Sequence, residues 1–96
     1  MAQQMIIALD YDHTFTEDPD GWLEAMLAMK ARGHLIYGVT MRYDNETAGM
    51  SNRYLAACDK IFFTGRKAKQ PFMAARGVSV QVWIDDMPQW VLNDAG

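Results

Sequence analysis

The stretch MIIALDYDHT, residues 5–14, decides the fold class, because an apolar run ends abruptly in closely spaced carboxylates. Met5 to Leu9 is the right length for one buried β-strand and is short for a helix. Asp10, Asp12 and Thr14 follow at once, so polar side chains stand at the carboxyl end of that strand. We therefore expect a buried strand that delivers acidic residues to one edge of a sheet.

The rest of the chain alternates helix and strand patterns. After a polar loop over residues 11–20, Asp18 and Pro19 form an N-cap and a first helical position, and the helix that they open ends at Gly33. Further strands are predicted over residues 35–40, 60–64 and 78–84, and further helices from Asp44 or Asn45 through about Cys58, over about 69–76 and around 89–93. Strand–helix alternation with short connections predicts βαβ units and a parallel sheet, which is an α/β fold.

Length and composition narrow the class of protein. The 96 residues are 50% hydrophobic and 22% charged, which is typical of one globular domain, here residues 1–96. No apolar run approaches the roughly 20 residues of a membrane span. Residues 1–9 lack the basic region and long apolar stretch of a signal peptide, so we expect none. Cys58 is the only cysteine, which excludes an internal disulfide and favours a reducing, cytoplasmic setting, with Cys58 as a small buried hydrophobic residue.

The acidic charge is concentrated in two places. Nine Lys and Arg against twelve Asp and Glu give a net charge of −3, and four of those acids are Asp10, Asp12, Asp85 and Asp86. There is no broad basic stripe along the chain. Sequence-specific binding of duplex nucleic acid is therefore not expected.

Polar residues follow each of the four predicted strands. In a parallel sheet the carboxyl ends of the strands share one edge, and ligands bind there, where the strand order reverses. If the first strand is central, one crevice collects Asp10, Asp12, Thr40, Lys69, Asp85 and Asp86.

Phosphoryl transfer is the chemistry that needs this combination. Clustered carboxylates repel one another, and a divalent cation such as Mg²⁺, which prefers oxygen ligands, removes that penalty. Asp10 is then free to act as a covalent nucleophile, and Asp12 as general acid and base. The Thr40 hydroxyl, the Lys69 ammonium and the Arg42 guanidinium are candidate contacts for the phosphoryl oxygens.

The motif Asp10-Tyr11-Asp12-His13-Thr14 resembles the first motif, Asp-x-Asp-x-Thr, of the haloacid dehalogenase (HAD) superfamily in its phosphatase branch. Thr40 is similar to the second motif and Lys69 to the third, and Asp85-Asp86 looks like the fourth. The resemblance covers the chain from Met5 to about Trp90.

The resemblance implies a three-layer, Rossmann-like sheet in the order 3-2-1-4 with helices on both faces. It implies a Mg²⁺-dependent phosphomonoester hydrolase that works through an aspartyl-phosphate on Asp10, with Asp12 as acid and base. The Mg²⁺ ligands would be Asp10, the backbone carbonyl of Asp12, and Asp85 or Asp86. The substrate would be a phosphorylated small molecule, or the phosphorylated end of a nucleotide or macromolecule, and no membrane partner is expected.

Three departures from the family pattern matter. His13 occupies a position that is very often glycine, where it either restricts the loop or contacts substrate. Neither residues 14–40 nor residues 40–69 leave room for a cap domain, and the usual fifth strand is missing. We therefore expect a pared-down, capless member, and the exposed edge of its fourth strand suits a homo-oligomer.

The candidate site residues also have ordinary structural interpretations. The aspartates are also common turn and capping residues, Thr40 also suits a strand end, and Lys67 competes with Lys69 as the motif lysine. Arg42 and Arg66 are equally compatible with solvated surface positions. A catalytically silent binding or assembly module of HAD type is the main alternative function. A receiver-type phosphoacceptor domain is disfavoured, because its acidic pair would follow the first strand rather than the fourth.

Overall fold

The four strands lie in a single sheet in the computed structural model, which describes residues 3–96. They are β1 (Ile6–Leu9), β2 (Leu35–Thr40), β3 (Lys60–Phe63) and β4 (Val82–Ile84). All pairs are parallel and the order is β3-β2-β1-β4, so β1 is central as expected and no cap is evident. Met1 and Ala2, part of the stretch in which we expect no signal peptide, lie outside the described residues.

Helices cover both faces of this sheet. They are α1 (Pro19–Ala31), α2 (Asn52–Ala57), α3 (Lys69–Ala75) and α4 (Gln89–Leu92), with a 3₁₀ turn at Phe15–Glu17. Within residues 3–96, no helix combines the length and the apolar character needed to cross a bilayer. The predicted α/β class and three-layer arrangement are confirmed.

The alternation of side chains along the central strands divides the core in two. Ile7, Leu9 and Ile36 pack with α1 and α2 on one face, whereas Ala8 and Val39 pack with α3 on the other. The first face also buries Cys58, and burial raises the pKa of this thiol to about 12. Cys58 is therefore the small buried residue that its sequence context indicates.

The second helix is shorter than predicted. The prediction that it begins at Asp44 or Asn45 is wrong, because Glu46 closes a turn there. The Glu46 N–H donates to the carbonyl of Tyr43 at 2.9 Å, and the Glu46 carboxylate accepts from the Tyr43 N–H at 2.7 Å. The helix begins only after Ser51, whose hydroxyl accepts from the Arg53 N–H at 3.2 Å.

The fourth strand is also shorter than the predicted 78–84. The Val78 N–H donates to the carbonyl of Met73 at 3.0 Å, so this residue finishes the end of α3 rather than joining the sheet. The Gln81 N–H donates to the carbonyl of Ile6 at 3.1 Å, but the Ile6 N–H donates to the side-chain carbonyl of Gln81 at 2.8 Å rather than to a backbone carbonyl. Regular pairing therefore starts at Val82, and β4 forms an edge of the sheet.

The predicted polar loop over residues 11–20 carries part of the core. Tyr11 and Phe15 are buried, and their rings lie 4.8 and 5.0 Å from the ring of Tyr54. The Tyr54 hydroxyl donates to the carbonyl of Leu9 at 2.6 Å. These contacts anchor the segment between β1 and α1, and so fix the residues that directly follow β1.

Candidate functional site

Three carboxylates meet at the carboxyl edge of the sheet. Asp10 follows β1, and Asp85 and Asp86 follow β4. One oxygen from each lies within 4.8 Å of the others. The Asp10 N–H also donates to the carbonyl of Ile84 at 3.0 Å, which ties the two strand ends together. The sheet order thus produces the convergence that the sequence predicts.

Lys69 places its ammonium between two of these carboxylates. Its Nζ lies 2.8 Å from Oδ1 of Asp10 and 2.5 Å from Oδ2 of Asp85, and the lysine is only 2% exposed. Lys67 is different, since its side chain is 71% exposed and lies 3.9 Å from Asp94. Of the two candidate lysines, the structure brings Lys69 to the acidic cluster.

Thr14 joins the two ends of the cluster. Its Oγ1 accepts from the Asp86 N–H at 3.1 Å and lies 3.0 Å from Oδ1 of Asp86 and 3.2 Å from Oδ2 of Asp10. Thr14 is not among the site residues predicted from the sequence. The sequence did contain a signal for this residue, since Thr14 is the last position of the Asp-x-Asp-x-Thr motif.

Asp12 points to Arg42. The guanidinium donates from Nε to Oδ2 of Asp12 at 2.9 Å and from Nη2 to Oδ1 at 2.8 Å. Its remaining nitrogen donates to the carbonyl of Glu46 at 2.8 Å, and the group lies over the ring of Tyr11. The hydrogen bonds from Arg42 lower the pKa of Asp12 below its usual value. Arg42, predicted as a phosphate contact, is therefore engaged with the candidate acid.

Asp10 has the opposite electrostatic character. Burial raises its pKa to about 6, against the attraction of Lys69, and the neighbouring Asp85 and Asp86 add to the rise. A buried carboxylate beside two others gains most from an additional cation.

A cleft of about 500 Å³ opens in front of the cluster. Thr40 lines it, almost fully buried, and its hydroxyl accepts from the Arg42 N–H at 3.3 Å. The other expected site residues in its walls are Asp10, Asp12, Arg42, Lys69 and Asp86. Asp85 belongs to the acidic cluster but not to this lining.

The cleft is also lined by residues that were not predicted from the sequence. Met87 and Trp90 come from the segment after β4, and residues 95–96 contribute as well. The only sequence signal for Trp90 was the short helix predicted around residues 89–93. His13 and Arg66, both considered from the sequence, do line the cleft.

His13 and Arg66 share an unusual backbone conformation. Their φ angles are 61° and 70°, and they are the two non-glycine residues with positive φ in the part of the chain that the structure describes. The His13 N–H donates to the Thr16 hydroxyl at 3.0 Å, and the Arg66 N–H donates to the carbonyl of Met41 at 2.9 Å. Such conformations cost about 1–3 kcal/mol and persist only where the surroundings impose them.

No family model, curated protein or solved structure matches this chain. The side chains themselves are therefore the guide to its chemistry. A buried carboxylate at a strand end, two more carboxylates beside it and one ammonium suit a site that combines a divalent cation with a phosphoryl group.

Proposed function

We propose that the chain is a Mg²⁺-dependent phosphomonoester hydrolase of HAD type, with Asp10 as nucleophile and Asp12 as general acid and base. One observation carries the proposal: the carboxylates of Asp10, Asp85 and Asp86 lie within 4.8 Å of one another, beside the ammonium of Lys69, at the carboxyl edge of a parallel sheet.

The donor set fits Mg²⁺. Asp10, Asp85 and Asp86 offer hard oxygen ligands in one place, and their mutual repulsion favours a cation. These residues, with the backbone carbonyl of Asp12, would hold the ion. Bound there, Mg²⁺ supplies charge neutralisation for the carboxylates and for the phosphoryl oxygens.

The first half-reaction transfers the phosphoryl group to the protein. A carboxylate oxygen of Asp10 bonds to phosphorus, and the bond from phosphorus to the leaving oxygen breaks. Asp12, once released by Arg42 and protonated from solvent, gives that proton to the leaving oxygen, so the alcohol leaves neutral. Lys69 and Thr40, both in the cleft wall, contact the phosphoryl oxygens.

The second half-reaction restores the protein. Asp12 takes a proton from a water molecule as the water oxygen bonds to phosphorus. The bond from phosphorus to Asp10 breaks, and inorganic phosphate leaves. Both steps require an oxygen of Asp12 to face the reacting atoms, so Arg42 must release at least one of the two oxygens that it now holds.

Phosphate release from p-nitrophenyl phosphate tests the proposal. The wild-type chain is measured with Mg²⁺ and with a chelator, beside Asp10→Asn, which keeps the shape of the side chain but removes the nucleophile. Release that requires Mg²⁺ and disappears in Asp10→Asn supports the covalent mechanism. Release that survives in Asp10→Asn contradicts it.

A second candidate, a catalytically silent binding module, is favoured by the pairing of the site's charges. Arg42 already neutralises Asp12, and Lys69 is shared by Asp10 and Asp85. Calorimetric titration with Mg²⁺, combined with the turnover assay, separates the two functions. Mg²⁺ binding that is lost in the double variant Asp85→Ala, Asp86→Ala, without turnover of any phosphomonoester, favours the silent module.

A further inference from the structure

The cleft is larger than phosphoryl chemistry needs. Its volume of about 500 Å³ lies within the range of about 300–1,000 Å³ that is typical of small-molecule sites. Part of the wall comes from residues of the phosphoryl site: Asp10, Asp86, Thr40 and Lys69. His13, Arg66, Met87 and Trp90 also line the cleft and have no role in the proposed hydrolysis. These four residues are where the rest of a substrate would lie.

Trp90 offers a free aromatic surface on this wall. The residue is 36% exposed, although it is one of the largest apolar side chains in the chain. Among residues 3–96 its ring is in none of the aromatic or cation–π pairs, which instead involve tyrosine and phenylalanine rings. An indole exposed in a cleft is a stacking surface for a flat aromatic group.

The segment after α4 holds this surface in place. The Ala95 N–H donates to the carbonyl of Arg66 at 2.8 Å, and the Asp94 carboxylate accepts from the Ala68 N–H at 2.7 Å. Residues 94–95 therefore fix α4, and Trp90 with it, against the loop between β3 and α3. A preformed wall of this kind costs little ordering entropy when a ligand binds.

Arg66 and His13 add polar groups to the same cleft. Both are held in the left-handed backbone region, which surrounding structure must impose. The Arg66 guanidinium donates to the carbonyl of Met41 at 2.6 Å and to the Glu46 carboxylate at 3.3 Å, so its position is fixed. The cleft thus combines an aromatic face with a guanidinium of fixed position and an imidazole carried on a fixed backbone.

We propose that the substrate is a nucleoside monophosphate, whose base stacks on Trp90 while its phosphate reaches Asp10. A nucleoside monophosphate carries a flat aromatic group, a polar linker and a phosphomonoester, and the lining of the cleft offers a partner for each. Arg66 and His13 contact the polar part between base and phosphate. This inference rests on the proposed phosphatase function, because it assumes that the acidic cluster receives the phosphate.

Binding to the inactive Asp10→Asn chain tests the inference without turnover. Calorimetry with Mg²⁺ present compares AMP with ribose 5-phosphate, which lacks the base, and with adenosine, which lacks the phosphate. We expect AMP to bind at least tenfold more tightly than either. Adding Trp90→Ala should reduce the preference for AMP over ribose 5-phosphate to less than threefold, and Trp90→Phe should keep most of it.

Leu92→Ala is the matched control, because Leu92 lies on the same helix, is 69% exposed and does not line the cleft. It should leave the preference unchanged. Equal binding of AMP and ribose 5-phosphate, or a preference that survives Trp90→Ala, would overturn the stacking role of Trp90. Equal binding of AMP and adenosine would instead show that the phosphate is not recognised, and would overturn the proposed function together with the inference.

Discussion

Arg42 donates to both carboxylate oxygens of Asp12, across the gap between the loop after β2 and the loop after β1. The pair is only partly buried, with side-chain exposures of 26% for Arg42 and 42% for Asp12. Its geometry is bidentate, which is the strongest arrangement for these two groups. The candidate acid is therefore oriented before any substrate binds, and it is held in its charged form.

A double-mutant cycle should detect this pair as a modest, salt-sensitive contribution. We expect Asp12→Ala and Arg42→Ala to show a coupling of about 0.5–1 kcal/mol in the free energy of unfolding, because solvent screens a partly exposed pair. The coupling should shrink in 1 M NaCl, where the Debye length is about 3 Å. The measurement is urea denaturation of the wild type, the two single variants and the double variant, at low salt and in 1 M NaCl.

The pair of Arg53 and Asp20 is the control for that cycle. It has one hydrogen bond of 2.6 Å, but its side chains are 55% and 85% exposed. Its coupling should be near zero. Equal couplings in the two cycles would mean that the bidentate geometry adds nothing.

Replacing Lys69 should cost much more than replacing Lys67. Lys69→Met leaves Asp10 and Asp85 without their buried cation, so we expect a loss of about 3–5 kcal/mol in the free energy of unfolding at pH 7 with a chelator present. Lys67→Met, at an exposed position, should change it by less than about 0.5 kcal/mol. Mg²⁺ should stabilise Lys69→Met more than the wild type, because the ion takes over part of the role of the lost charge. Similar losses in the two variants would contradict the buried ion pair.

The pKa of Asp10 predicts how the stability of the metal-free protein depends on pH. Folding raises this pKa from 3.8 to about 6, so the folded state holds the proton more tightly than the unfolded state. The protonated carboxyl therefore stabilises the folded state by about 3 kcal/mol. This stabilisation is fully present below about pH 4 and is lost as the pH rises through 6.

The variant Asp10→Asn lacks this titrating group, so its stability at each pH is the reference for that of the wild type. The free energy of unfolding of the wild type, measured in urea with a chelator, should fall relative to that of Asp10→Asn between pH 4 and pH 7.5. Parallel pH profiles would show that Asp10 titrates at its ordinary pKa.

Gly38 should tolerate no side chain, because β2 passes close to Tyr54 there. A Cβ on Gly38 would lie 2.6 Å from the Tyr54 hydroxyl and 3.1 Å from Sγ of Cys58. We expect Gly38→Ala to destabilise the fold by about 1–3 kcal/mol through overpacking. The loss should be smaller in a Tyr54→Phe background, where the nearest atom is removed. Thermal unfolding measures both, with Gly96→Ala, which meets open space, as the control.

The order of the elements was predictable because the signals for it are local. The apolar run that ends at Leu9 and the cap at Asp18 mark their elements without help from distant residues. Once the strands are parallel and β1 is central, the meeting of Asp10 with Asp85 and Asp86 follows from the topology.

Contacts between distant side chains were not predictable in the same way. Glu46 ends a turn where a helix was expected, and the side chain of Gln81 takes the place of a backbone carbonyl as the acceptor for the Ile6 N–H. The pairing of Arg42 with Asp12 depends on the path of two loops that meet only in the folded chain. Propensity and spacing carry no information about such pairings, because three-dimensional proximity decides them.

The bridge from Thr14 to Asp86 joins positions 72 residues apart in the chain. No local structure brings positions so distant in the chain together; the pairing of β4 with β1 does. The carboxylates of Asp10 and Asp86 therefore stay apart, and do not repel one another, until β4 docks beside β1. The proposed Mg²⁺ site should consequently be complete only when the last strand has paired, so that metal binding there would also report completed folding.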